Sequence, residues 1–399
     1  METQTKRANQ PSSADPRVAG RGYIRRAVLQ WVASAAVVVG LFSGLAHVRA
    51  HAANLENGSG TMSVSGTADT LTRASLPDEG PLPSLSGASQ WLNSAPLTPE
   101  SLRGKVVVLN VWTYSCINSL RALPYVNSWA RKYKDQGLVV IGVHAPEFEF
   151  EHQGDNVKQA LHDLGIDYPN VLDNRFSIWR GLGNEYWPAL YFVDAQGHIR
   201  HHSFGEGDYA QSEQVVRELL AQAGHPEVAK IPAGLGNTPV PGVEAAPDFA
   251  NLRSPETYFG YTQAENFASP GGQQFDIPYT YLAPEHIGLN HWGLGGVWQV
   301  SKDRATLDGA TGRVVYRFHA RDLHIVLGAS GNKPVRFRVT IDGAAPGDAH
   351  GVDVAPDGTG VVTEHRLYQL VRQSNGVSDH TFAIEFLDPG VEAYSFTFG

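Results

Sequence analysis

One cysteine among 399 residues sits in the run from Lys105 to Pro124, KVVVLNVWTYSCINSLRALP. No other stretch limits the chain's fold so tightly. Val106 to Val111 is apolar and β-branched, the pattern of a central strand buried on both faces. Trp112 to Ser115 reads as an aromatic and polar turn, and a helix opens at Cys116. From Ser119 to Tyr133 apolar residues recur at helical spacing (Leu120, Leu123, Val126, Trp129, Ala130), with a kink expected at Pro124. A thiol at the first turn of a helix meets unpaired backbone N–H groups and the positive end of the helix dipole. Such surroundings lower a cysteine pKa, so Cys116 is expected to be a reactive thiolate and not an inert core sulfur. One helical turn on, where a second thiol would complete a Cys-x-x-Cys pair, stands Ser119.

A lone cysteine excludes an internal disulfide framework and a thiolate-rich zinc site; in an exported chain it suggests intermolecular pairing or a free reactive thiol. Formal charge is −9, so there is no basic face of the kind nucleic-acid binding needs. His198, His201 and His202 stand close together, but neighbours on a strand point to opposite faces. A solvated strand end is therefore expected there, and no metal or cofactor. The length exceeds one ordinary domain, and two or three units are expected.

Residues 1–52 read as an export signal or a single-pass membrane anchor. A basic start ending in Arg25-Arg26 precedes an apolar run from Ala27 to Ala46, with small-residue cleavage options at Ala50 and Ala52. The run is also near the roughly 20 residues that span a bilayer. Either reading places the rest of the chain in an oxidising extracytoplasmic space, with membrane contact only through this segment. Residues 53–80, rich in Ser, Thr, Gly and Asn, read as a flexible tether.

From 81 to 224 strands and helices alternate. Buried strands are expected at Leu138–Val143 and Ala189–Val193, helices at Asn156–Leu164, Phe176–Leu182 and Glu213–Ala223, and a hairpin turn at Asp194–Gly197 leading into His198–Ser203. Residues 225–257, rich in Pro, Gly and Ala, read as a linker. From 258 to 399 short alternating strands are separated by turn clusters such as Asp342-Gly343: Arg313–Phe318, Leu323–Leu327, Val335–Ile341, Val361–Val371, Thr381–Phe386 and Ala393–Phe398. That pattern implies an all-β sandwich or jelly roll.

The phrases WTYSCIN, GVHAPEFEFE, GNEYWPALYFVD and FGEGDY together resemble the TlpA-like branch of the thioredoxin superfamily, nearest the extracytoplasmic region of DipZ-type thiol:disulfide interchange proteins. The segment ending RLYQLVRQ…FLDPGVEAYSFTFG resembles the carbohydrate-binding-module-like domain of such proteins. The resemblance spans Trp91 to Gly399 and implies an α/β thioredoxin-like fold followed by an all-β domain. It departs from the pattern at Ser119, where the family has its second cysteine.

The resemblance implies that Cys116 is the nucleophile and that Trp112 flanks it. Trp187-Pro188 would be the cis-proline that presents its backbone to a substrate chain. Glu147 would be the acid near the thiol, relaying protons or tuning it. Ser119 cannot attack a mixed disulfide, but its hydroxyl can hydrogen-bond the sulfur. What remains is monothiol exchange or isomerisation on extracytoplasmic protein thiols, resolved by an external reductant or thiol. A redox-inactive fold that only binds, through the proline groove and the β-domain, is the alternative. A thiol peroxidase is a lesser one: Thr113 precedes Cys116 by three, but Leu109 stands where that box needs proline. Tyr279, Tyr281, Trp292 and Trp298 are candidates for a glycan-stacking platform.

Overall fold

The computed structural model describes residues 76–235, 240, 242–331 and 333–399. The expectations for residues 1–52, and for the tether up to 75, lie outside the described residues. Among the described residues no helix is long and apolar enough to cross a membrane.

The α/β part is a six-stranded sheet: β1 (Gln90–Leu92), β2 (Val106–Trp112), β3 (Leu138–His144), β4 (Asn170–Leu172), β5 (Ala189–Val193) and β6 (Ile199–Phe204), in the order β1-β4-β3-β2-β5-β6. β3 lies parallel to β2 and β4, while β5 runs antiparallel to β2 and β6. β2 is buried at all seven positions, as its unbroken apolar run requires. Helices α1 (Ile117–Lys132), α2 (Gly154–Asp163), α3 (Ser177–Gly181) and α4 (Tyr209–Gln222) accompany it. Pro124 is accommodated inside α1. This is the thioredoxin-like arrangement. The two short strands β1 and β4 escaped the sequence reading because three residues show no alternation.

The C-terminal part is a ten-stranded antiparallel sheet: β7 (Thr257–Tyr258), β8 (Pro278–Tyr281), β9 (Trp292–Val300), β10 (Ala305–Phe318), β11 (Asp322–Ala329), β12 (Val335–Ile341), β13 (Thr359–Val362), β14 (Arg366–Arg372), β15 (His380–Phe386) and β16 (Val391–Phe398). The long strand β10 pairs with β9 and β16 near its start and with β9 and β15 towards its end, with a register shift between Leu307 and Gly312. Bulges bend strands in this way, and the sheet closes on one core that includes Trp292, Trp298, Tyr316, Phe337, Phe382 and Phe396. The expected single strand Val361–Val371 is two, β13 and β14, parted at Thr363–His365. The aromatic platform is also corrected. Tyr281, Trp292 and Trp298 are sealed in the core, and only Tyr279 reaches the surface.

Described parts of the stretch read as a linker are docked on both domains. Gly234 N–H donates to Glu213 of α4, Arg372 donates to the Gly242 carbonyl and Arg321 to that of Ala246. The two parts also share hydrophobic packing. Val326, Leu367 and Tyr394 of the β-domain join the cluster of Tyr114, Ile117, Leu120, Phe148 and Phe150.

Gly142 in β3 tests how tightly this frame is packed. A Cβ there would lie 1.9 Å from Asn170 Oδ1 and 3.0 Å from Trp112 Nε1, into the pair where Trp112 Nε1 donates to Asn170 Oδ1 at 3.1 Å. Gly142→Ala is expected to cost roughly 1–3 kcal/mol, the range for overpacking a core, read from denaturant unfolding. An unchanged midpoint would mean that this part of the sheet yields freely.

Candidate functional site

Thr113 to Ser115 carries the chain out of β2 and into α1, and Cys116 is the helix's N-cap, with extended backbone (φ −82°, ψ 118°) and no side-chain cap bond. Its carbonyl accepts the first helical bond, from Leu120 N–H. Cys116 is half-buried and forms no disulfide. Ser119 is fully buried; its hydroxyl accepts from Thr113 N–H at 3.4 Å, and its polar groups act to lower the Cys116 pKa.

The turn is held from the other side by a residue absent from the sequence reading. Glu151 is fully buried and lies on the short helical turn Glu149–His152. Its Oε1 accepts from the Ser115 hydroxyl at 2.7 Å, from Ser115 N–H at 3.3 Å and from the Thr113 hydroxyl. Its Oε2 accepts from Glu147 N–H at 2.6 Å and Phe148 N–H at 3.0 Å. One carboxylate thus ties the turn before Cys116 to the loop after β3 that carries Glu147. Burial raises its pKa against these donors, which lower it. Thr113 is spent on this bond and on His144, a structural use of the residue that the peroxidase reading needs beside the thiol.

Glu147 is half-buried, and its Oε1 accepts from the Tyr258 hydroxyl at 2.5 Å. Tyr258 belongs to β7, so the β-domain reaches the site. Glu256, two residues earlier, is exposed and lies near enough to act electrostatically on Tyr258 and Cys116. Burial pushes Glu147 well above the usual carboxylate range, helped by repulsion from Glu256 and Glu151.

The expected low thiol pKa is overturned. Desolvation raises Cys116, and Glu147 and Glu256 raise it further, while Ser119 opposes them. Magnitudes explain the outcome. A helix terminus contributes about 0.3–1 kcal/mol, less than one pKa unit, whereas burial and facing carboxylates shift pKa values by several units. The sequence reading had the helix end and, by resemblance, Glu147, but neither Glu256 nor the burial that reverses the sign.

The remaining predicted residues divide. The Trp187–Pro188 bond is cis, and β5 begins at Ala189 opposite Val111, so Pro188 lies at the same sheet end as the Cys116 turn. Trp187 is half-buried, donates to the Ala145 carbonyl at 3.0 Å and packs on Trp179 at 4.3 Å between ring centroids. Trp112 is corrected. It is fully buried, sits edge-on to His144 and cannot meet a substrate. Glu256 and Tyr258 fell where the reading placed the linker and the β-domain's first residue, and nothing local marks them as part of a thiol site. Among the described residues no group of acids, histidines and cysteine is arranged to hold a metal.

Known proteins match both parts. The AhpC/TSA family matches residues 83–202, and the family described as thioredoxin-like C-terminal domain matches 254–399. Protein DipZ of Mycobacterium tuberculosis (strain CDC 1551 / Oshkosh) is 40% identical over 267 residues, covering 66% of this chain and 37% of DipZ; the chain thus spans little more than a third of that relative's length. Thiol-disulfide oxidoreductase YkuV of Bacillus subtilis is 34% identical over 143 residues, covering 36% of this chain and 95% of YkuV. The solution structure of a thioredoxin-like protein in its oxidised form is 33% identical, covers 36% of this chain and 96% of its own, and superposes with a TM-score of 0.34. With YkuV matched almost end to end at that identity, and the sheet, the thiol turn and the cis-proline all in place, the chain belongs to the thioredoxin-fold thiol-disulfide oxidoreductase family that includes YkuV and DipZ.

Proposed function

We propose that this protein carries out thiol-disulfide exchange through Cys116 alone, on protein thiols and disulfides of an extracytoplasmic compartment. The observation that carries the reading is the thiol itself: a half-buried, free cysteine at a helix N-cap, one turn before Ser119. The export-like N-terminal sequence supports the compartment.

In the exchange the Cys116 thiol gives up its proton, with Glu147 the nearby acceptor, and the sulfur attacks one sulfur of a substrate disulfide. The Cys116–substrate S–S bond forms as the substrate's own S–S bond breaks, and the departing thiolate takes up a proton. Ser119 holds no sulfur for a second attack. An external thiol, or a second thiol of the substrate, therefore attacks the mixed disulfide and returns Cys116 to its reduced state. The net result is exchange or isomerisation; the electrons of any net reduction come from that external thiol.

The raised thiol pKa favours a second reading, a redox-silent binding protein that uses the Pro188 groove and the β-domain for a protein or glycan partner. Acid-quenched protein separates the two. Mixed disulfides on Cys116 in the native compartment, absent from Cys116→Ala, are the expected result. Their absence, together with peptide or glycan binding that survives Cys116→Ala, would establish the binding reading instead.

Ser119→Cys gives a second test. With a resolving sulfur restored one helical turn on, the variant is expected to cycle as a dithiol, to reduce a model disulfide stoichiometrically, and to lose the trapped adducts of the natural sequence. A variant that still accumulates the same adducts would mean that position 119 does not face the sulfur.

A further inference from the structure

The β-domain's first strand does more than start a fold. β7 pairs with β16 through Thr257 opposite Phe396 and Tyr258 opposite Ser395, which fixes Tyr258 to the rigid β-domain sheet. Its ring packs on Phe148 at 6.3 Å between centroids, and Phe148 also meets Tyr394 of β16 at 5.1 Å. The loop that bears Glu147 is therefore wedged between its own sheet and the β-domain. At the tip of this wedge the Tyr258 hydroxyl donates to Glu147 at 2.5 Å, and Glu256, exposed two residues before Tyr258, adds a second carboxylate nearby.

We propose that the β-domain completes the thiol site: Tyr258 positions Glu147 beside Cys116, and Glu256, exposed two residues before Tyr258, adds the last charge of the row. This rests on Cys116 being the reacting sulfur. The groups that face it are Glu147 from the loop after β3, and Tyr258 and Glu256 from β7 and the residues before it; Glu151 stands behind Glu147. Proton movement balances without any further reactant. The Cys116 proton passes to Glu147, and Glu147 passes it on to the departing thiolate or to water. Tyr258 is a positioning residue, since it acts through Glu147.

The row also sets the sign of the effect on the thiol. A donor to Glu147 favours its anion, and that anion opposes a thiolate beside it. Tyr258→Phe keeps the ring and removes only the hydroxyl, so Glu147 holds its proton to higher pH and the thiol ionises more readily. The experiment is the pH profile of Cys116 alkylation by iodoacetamide on the full chain, with the unfolding midpoint measured alongside. Tyr258→Phe is expected to move the profile to lower pH and to speed alkylation at a fixed pH on its rising limb by about 3-fold or more, half a pKa unit. Glu256→Gln, at an exposed position, is expected to move it the same way, and keeps the test alive should Tyr258→Phe fail to fold. A Tyr258→Phe profile that overlays the natural protein's, with folding intact, overturns the proposal. So does a Glu256→Gln profile that overlays it. Alkylation needs only a reachable thiol, so a protein that shows these shifts but never exchanges disulfides would sink the proposed function and leave this inference standing.

Discussion

Everything at the site depends on a carboxylate that takes no part in the chemistry. Glu151 is out of contact with water, and a buried carboxylate without donors would cost several kcal/mol. Five donors converge on it, three from the turn between β2 and α1 and two from the loop after β3. Hydrogen bonds to a charged group are worth about 1.5–3 kcal/mol each, and the group is costly to leave partly satisfied. The two segments therefore cannot move independently. Cys116 follows the first and Glu147 leads the second, so their juxtaposition is set by a shared anchor.

The same loop explains why the two domains act as one piece. Phe148 and Phe150 leave the α/β part and meet Tyr394 at 5.1 and 4.8 Å, and Phe150 meets His365 at 5.0 Å. Aromatic pairs at these separations add about 0.5–1.5 kcal/mol beyond the area they bury. With Val326 and Leu367 in the same cluster, the interface is apolar core, not a wet contact between tethered modules. A loop that carries an acid of the thiol site on one residue and the domain interface on the next couples the two.

Much of this was legible in the sequence, and the limits were physical. The strand, the turn and α1 were readable because β2 is buried at every position and α1 repeats at helical spacing. The all-β nature of the C-terminal part was readable from alternation and turns. What stayed hidden was whatever depends on distant segments meeting. Glu151 sits among Glu147 and Glu149 in an acidic and aromatic run, and nothing local says which of the three turns inward. Trp112 read as a flank of the thiol because it is near in sequence, yet a strand's alternation sends it into the core against Asn170. The aromatic residues of β8 and β9 fit a platform as well as a core until the sheet's curvature is known. The sign of the thiol's shift failed for the same reason: Glu147 was placed near the sulfur, but the burial of the turn and the approach of Glu256 come from distant segments.

The raised thiol and the missing second sulfur bear on one another. In disulfide exchange a thiol of low pKa leaves quickly and one of high pKa leaves slowly, while nucleophilicity rises with pKa. Surroundings that oppose the Cys116 thiolate therefore make it scarce at rest, intrinsically strong when it attacks, and reluctant to depart from a mixed disulfide. In a dithiol protein the neighbouring cysteine would drive that departure from within. Here the position belongs to a serine, whose hydroxyl cannot attack a disulfide. In the proposed exchange, substitution and electrostatics push in the same direction, towards a covalent partner held until an outside thiol arrives. The proposed role of Glu147 and Glu256 would make that hold depend on pH, because each acid that loses its proton raises the cost of releasing the sulfur as an anion.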